Sequence, residues 1–238
     1  MTAAKANAEE RKKLTADLWI IGIVTFLALG IVVVAMQNGM NDSSDSHSIP
    51  IVLRVLMIGL CGQFAVSGLG ISIVCLIRKQ RFRDFGLNTR NLIPALLLSL
   101  LCCVPELTYY LVRGYVSGWC PFQGVNTTAE VLASPFPSNV LGFLITALFW
   151  GFFEGFNYVV IRDKISMRFP SRYRFFDWGA FVCAVMCILV HGAVGITPDA
   201  VWEMLSTFIL IYGMLIVRKE TGNAWGCVLI FFVYWNAI

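Results

Sequence analysis

Four ionisable side chains, Arg54, Glu106, Glu154 and His191, each interrupt a long apolar run. An ionisable group in hydrocarbon is costly enough to be a functional candidate by default. Glu154 has the most chemistry around it. In Phe152-Phe153-Glu154-Gly155-Phe156-Asn157-Tyr158 the amide and the phenol follow the acid by three and four residues, so a helix places all three on one face. A carboxylate among phenylalanines suits a general base wherever a water reaches it; held by a neighbouring helix instead, it would be structural. His191 precedes Gly192, which leaves room for a close helix or a water, and the only other histidine, His47, falls in a polar loop. A zinc site needs about three protein ligands, so two separated histidines predict no metal, and nothing predicts a cofactor. Arg54 and Glu106 read as a structural ion pair across adjacent helices, each offsetting the other's desolvation. Pro105 beside Glu106 predicts a kink, and Asp199 after Pro198 reads as a helix N-cap.

The elements that must position these groups follow from composition. The 238 residues are 58% hydrophobic and 13% charged, with mean hydropathy +0.76. Soluble domains carry roughly 45–50% apolar and about 25% charged residues, so an ordinary soluble globule and a disordered chain are both excluded. Apolar runs at 18–36, 51–77, 92–112, 140–161, 178–196, 200–217 and 224–238 approach or exceed the roughly 17 residues that cross a bilayer. They lack the alternation of a barrel, so helices are expected. The expected fold is therefore all-α, a polytopic transmembrane bundle of about seven spans. The first run is too long for a signal peptide and reads as an anchor. Residues 1–17 form an N-terminal segment, 18–77 two helices, and 78–238 a core.

Sixteen of the 18 cations fall in the N-terminal segment and in the loops after the second, fourth and sixth runs. The positive-inside rule then makes the N-terminus cytoplasmic in a multi-pass cell-membrane protein. A net charge of +4 distributed this way marks topology and argues against a nucleic-acid partner; the bilayer itself is the expected partner. Of eight cysteines only Cys120 sits in an outer loop, so no disulfide framework is expected. Residues 38–50 form a polar loop, and 114–139 a longer one lying on the membrane surface. No internal repeat is visible, which weakens a transporter reading built on the buried acids.

With Glu154 and His191 as its centre, roughly residues 80–238 resemble the CPBP family of intramembrane CAAX proteases and bacteriocin-processing proteins, also called Abi. The family's EExxxR helix is similar to Glu154-Gly155-Phe156-Asn157-Tyr158-Val159, with the first acid kept and Gly155 and Val159 at the second acid and the arginine. Its FxxxH helix is similar to Cys187–His191, with the histidine kept. Thr221-Gly222-Asn223-Ala224-Trp225 resembles the Thr-Gly-Ser-x-Trp that opens the last core helix, and Phe85-Gly86-Leu87 resembles a short Gly-Leu motif. Where the family has a final His and Asn, this chain has Phe231 or Phe232 and Trp235 or Asn236.

The resemblance implies that Glu154 and His191 activate a water against a peptide carbonyl. Asn236, Asn157 and Tyr158 are the side chains left to hold substrate and oxyanion, where loss of one donor costs about 100–1,000-fold. A peptide or prenylated peptide is the implied substrate. A non-catalytic relative is the alternative: a membrane scaffold, regulator or immunity-type protein binding a peptide or a partner membrane protein. Span arithmetic sets the pair apart, with Glu154 roughly 10–12 Å and His191 roughly 20 Å from the cytoplasmic side at 1.5 Å per residue.

Overall fold

The computed structural model describes residues 8–38, 49–116, 118–192 and 194–238; His47 lies outside them. Every regular element among the described residues is helical. We number them α1 (Ala8–Gln37), α2 (Ile51–Ser67), α3 (Leu69–Arg78), α4 (Leu92–Arg113), α5 (Thr128–Ala133), α6 (Ser138–Arg168), α7 (Trp178–Val190), α8 (Pro198–Thr221) and α9 (Trp225–Trp235).

The seven apolar runs all become helical, but fewer of them are long enough to cross a membrane. Among the described residues α1, α4, α6 and α8 qualify by length and composition, and α2 with α3 makes a fifth if their 61° bend is crossed as one span. The shortfall from seven has a local cause. α7 has 13 residues, a rise of about 20 Å against a hydrocarbon core of about 30 Å. It stops because His191 caps it and Gly192 turns the chain at φ +67°. The last apolar run starts its helix at Trp225 and leaves α-geometry at Phe231.

Local signals explain the other boundaries. Asp177 caps α7 by accepting the Ala180 N–H at 2.9 Å. At α8 the cap is Thr197, which accepts the Ala200 N–H at 3.2 Å, and not Asp199 as the sequence suggested. Pro198 has no N–H to lose and takes the first helical position, so the cap falls on the residue before it. Asp199 instead pairs with Arg113 at 2.8 Å and accepts from the Tyr109 hydroxyl. The kink expected at Pro105 is seen as a break in α4, where Cys102 and Cys103 switch to bonds with Ser99 and Leu100, both 3.0 Å.

α6 is the central helix: 61% of its most apolar stretch is buried, against 11% in α1. It packs on α1, α7 and α9. Gly155 sets the approach to α9, since a Cβ there would lie 2.8 Å from the Cys227 carbonyl oxygen and 2.9 Å from Val228 Cα.

The Arg54–Glu106 pair does not form. The start of α2 packs on α5 and α6, so Arg54 meets Glu130. α4 packs on α8, so Glu106 receives the Ser206 hydroxyl at 3.4 Å and faces Tyr234.

At the cation-rich end, charged side chains hold the helices together. Lys164 reaches Asp17 at 2.8 Å and Gln80 at 2.7 Å, and Arg78 binds the other oxygen of Asp17 at 2.7 Å. Arg162 grips Asp177 at 3.2 and 2.5 Å, and Arg218 joins Asp163 at 2.8 Å. Burial alone would push the Asp177 carboxyl up, but Arg162, the Ser166 hydroxyl and the Ala180 N–H hold it below the usual range.

Two motifs noted in the sequence interlock here. Buried Asn223 donates to the carbonyls of Asn88 and Arg90 at 2.7 and 2.8 Å, and Ala224 N–H donates to Gly86 at 2.9 Å. Gly86 (φ +95°) is required at this contact, because a Cβ would lie 2.8 Å from the Gly222 oxygen.

Candidate functional site

The candidate site lies midway along α6. Glu154 is 7% exposed, and its two carboxylate oxygens have different partners. Oε2 accepts the Gln63 amide N–H at 2.7 Å, and Oε1 lies 3.8 Å from His191 Nε2. Span arithmetic had set the acid and the histidine apart. α6 and α7 run antiparallel, as the reversed order of their contacts shows: Arg162 with Asp177, Tyr158 with Cys183, Glu154 with His191. Side chains lean toward the N-terminus of their own helix, so Glu154 and His191 reach toward each other and close the gap. His191 also lies not inside a span, as the apolar run 178–196 implied, but at the C-cap of α7, with its side chain 38% exposed.

Asn236 follows α9 and lies beside the Glu154 carboxylate. Its buried amide nitrogen faces that carboxylate without completing a hydrogen bond of good geometry to it. The Asn157 carbonyl oxygen is buried and unpartnered among the described residues. Tyr158 turns away: its ring stacks on Phe231 with centroids 5.6 Å apart, and its hydroxyl faces Cys187. Phe231 continues to Trp235 at 5.7 Å, and Trp235 meets the His191 ring edge-on at 5.1 Å. An aromatic row thus runs from Tyr158 to His191. The site therefore brings together Glu154, His191 and Asn236, keeps Asn157 on the same helix, and gives Tyr158 a packing role. Arg54 and Glu106 belong to other contacts.

Three π-helical stretches adjoin the site: Gly59–Phe64, Ala147–Phe153 and Phe231–Trp235. Gln63 lies in the first, Glu154 directly follows the second, and Trp235 ends the third. Such widened turns are frequent at functional sites because they re-aim side chains. The segment after α4 closes the site at the end opposite the cation-rich one. Trp119 donates its indole N–H to the Val233 carbonyl at 2.7 Å, and Gly124 N–H binds the Asn236 carbonyl at 3.0 Å. Phe122 is fully buried against Phe143 and Phe232. The loop expected on the membrane surface is thus folded onto α9.

Sequence reasoning missed Gln63 and the cover. Gln63 carries a signal, a polar amide inside an apolar run, but it has no charge to set it apart as the ionisable groups have. Its position also shows that the stretch 18–77 supplies part of the site.

Among the described residues no three His, Cys, Asp or Glu side chains are grouped to hold a metal ion. What the arrangement offers is a carboxylate fixed on one side by an amide and open on the other toward an imidazole, with an amide donor alongside. No protein-family model, curated protein or solved structure matches this chain, so the reading of the site rests on its own geometry.

Proposed function

We propose that this chain is a multi-pass cell-membrane protein with a cytoplasmic N-terminus, its seven apolar segments all within the bilayer, and that it is a glutamate-type intramembrane peptidase. The observation that carries the reading is the 3.8 Å approach of Glu154 to His191. That spacing is too long for a direct hydrogen bond and suits one water bonded to both groups. Glu154 takes a proton from this water as its oxygen attacks the substrate's peptide carbonyl. Gln63 holds the second carboxylate oxygen, so the attacking side stays aimed. The buried Asn236 amide, beside the carboxylate and without a well-formed hydrogen bond, donates to the developing oxyanion. Glu154 then returns the proton to the leaving amine, and exposed His191 keeps the water in line. A peptide, with or without a prenyl tail, is the substrate class, in keeping with the resemblance to CPBP proteins.

Two observations favour the second reading, a non-catalytic relative that binds a peptide or a partner membrane protein. The second acid of the family motif is Gly155, which has no room for a side chain against α9, and the last histidine is replaced by buried Phe231.

The purified full chain, incubated with a mixed-sequence peptide library with and without a C-terminal farnesyl cysteine, distinguishes the two by mass spectrometry. The peptidase reading expects cleavage that Glu154→Gln and His191→Ala each abolish. Absence of cleavage by the unmodified chain, or full cleavage by both variants, overturns it.

A further inference from the structure

Two adjacent depressions lie along α1 where it meets α6 and α7. Toward the cation-rich end lies a pocket of about 540 Å³ lined by Arg11, Lys12, Thr15, Trp19 and Arg168. Next to it, Leu18, Ile21 and Phe26 face Ile165, Val182 and Met186 across an apolar cleft of about 1020 Å³. The two are neighbours: Arg168 lines the first and the adjacent Phe169 the second, as Trp19 and Leu18 do on α1.

We propose that this is a binding site for one anionic phospholipid, its phosphate among Arg11, Lys12 and Arg168 and its acyl chains in the cleft. Charge complementarity names the headgroup. Lys13 is engaged by Glu9 at 2.8 Å and Asp17 by Arg78 and Lys164, whereas Arg11 and Lys12 form no ion pair among the described residues. Arg168 donates its Nε to Thr15 at 2.9 Å and lies over the Phe169 ring, which aims the guanidinium into the pocket. Length names the tails. The cleft follows α1 from Leu18 to Leu29, a rise of about 16 Å, or half of a hydrocarbon core of about 30 Å. That is one leaflet. Trp19 and Trp178 border the two parts, where indoles favour the interface between headgroups and chains. A free phosphate would leave the cleft unused, and a neutral lipid would leave the cations unpaired. The proposal shares no residue with the candidate peptidase site and stands apart from it.

Native mass spectrometry of the detergent-solubilised full chain tests it, with phosphatidylglycerol and phosphatidylcholine of identical chains as probes. Juxtamembrane cations predict roughly tenfold more phosphatidylglycerol adduct at equal concentration. Arg11→Ala with Lys12→Ala and Arg168→Ala should bring it to the phosphatidylcholine level. Gly22→Leu, whose side chain enters open space in the cleft, should reduce retention of both lipids. Glycerol phosphate in excess should not displace the lipid. Equal retention of the two lipids by the unmodified chain, a comparison that needs no variant, overturns the proposal. So does an unchanged ratio in the charge variant, unchanged retention in Gly22→Leu, or full displacement by glycerol phosphate, which would make the pocket a simple anion site.

Discussion

At the residue scale the two oxygens of Glu154 have separate tasks in the proposed reaction, and the separation makes distinct predictions. Gln63 touches only the carboxylate, so it is a positioning residue. A hydrogen bond to a charged group is worth about 1.5–3 kcal/mol, so Gln63→Ala should lower kcat by about 10–100-fold with KM little changed. Asn236 faces the developing oxyanion. Asn236→Ala should therefore lower kcat by about 100–1,000-fold, again with KM held, as read by steady-state cleavage of a library-derived peptide. Equal rises in KM for both variants would point to substrate binding instead. Glu154 and His191 were legible in the sequence because ionisable groups stand out in an apolar run. Gln63 carries no charge and comes from a segment distant in the chain, so spacing arguments centred on Glu154 had no means to reach it.

At the element scale the site depends on how closely α9 lies against α6. Gly155 permits that approach, and a Cβ would meet backbone at 2.8 and 2.9 Å. Backbone cannot step aside as a flexible side chain can, so Gly155→Ala should destabilise the protein by about 1–3 kcal/mol and move Asn236 away from Glu154. Thermal unfolding in detergent reads the first effect, and a kcat loss that exceeds the loss of folded protein reads the second. The helices themselves were visible as apolar runs. Their ends were less so: hydropathy carried the span past His191, where a turn at Gly192 stops α7. The π-helical stretches beside Gln63, Glu154 and Trp235 leave no mark in residue type, since an extra residue in a turn alters geometry without altering hydropathy.

On the scale of the whole molecule, buried ion pairs at the cation-rich end tie α1, α3, α6 and α8 into one unit. Asp177 joins the cap of α7 to Arg162 of α6, and its carboxyl is held below the usual value. A depressed folded value means that its stabilisation is complete above the unfolded value, about 3.9, and is lost as pH falls through the folded one. The melting temperature of the solubilised protein should therefore be level near neutrality and fall below about pH 4. Asp177→Asn should cost about 1.5–3 kcal/mol near pH 7 and converge on the unmodified protein in acid. A constant difference at all pH values would remove the charge from the account. The positive-inside pattern was readable residue by residue, yet these pairings were not, because they depend on which helix ends meet.

The central claim is that Glu154 and His191 act as one device on one water, and a double-mutant cycle on peptide cleavage tests it most directly. Groups that work as a unit lose their joint contribution when either is removed. Glu154→Gln, His191→Ala and the double variant should therefore fall to the same residual kcat. Independent losses that multiply in the double variant, or a His191→Ala rate equal to that of the unmodified chain, would contradict it.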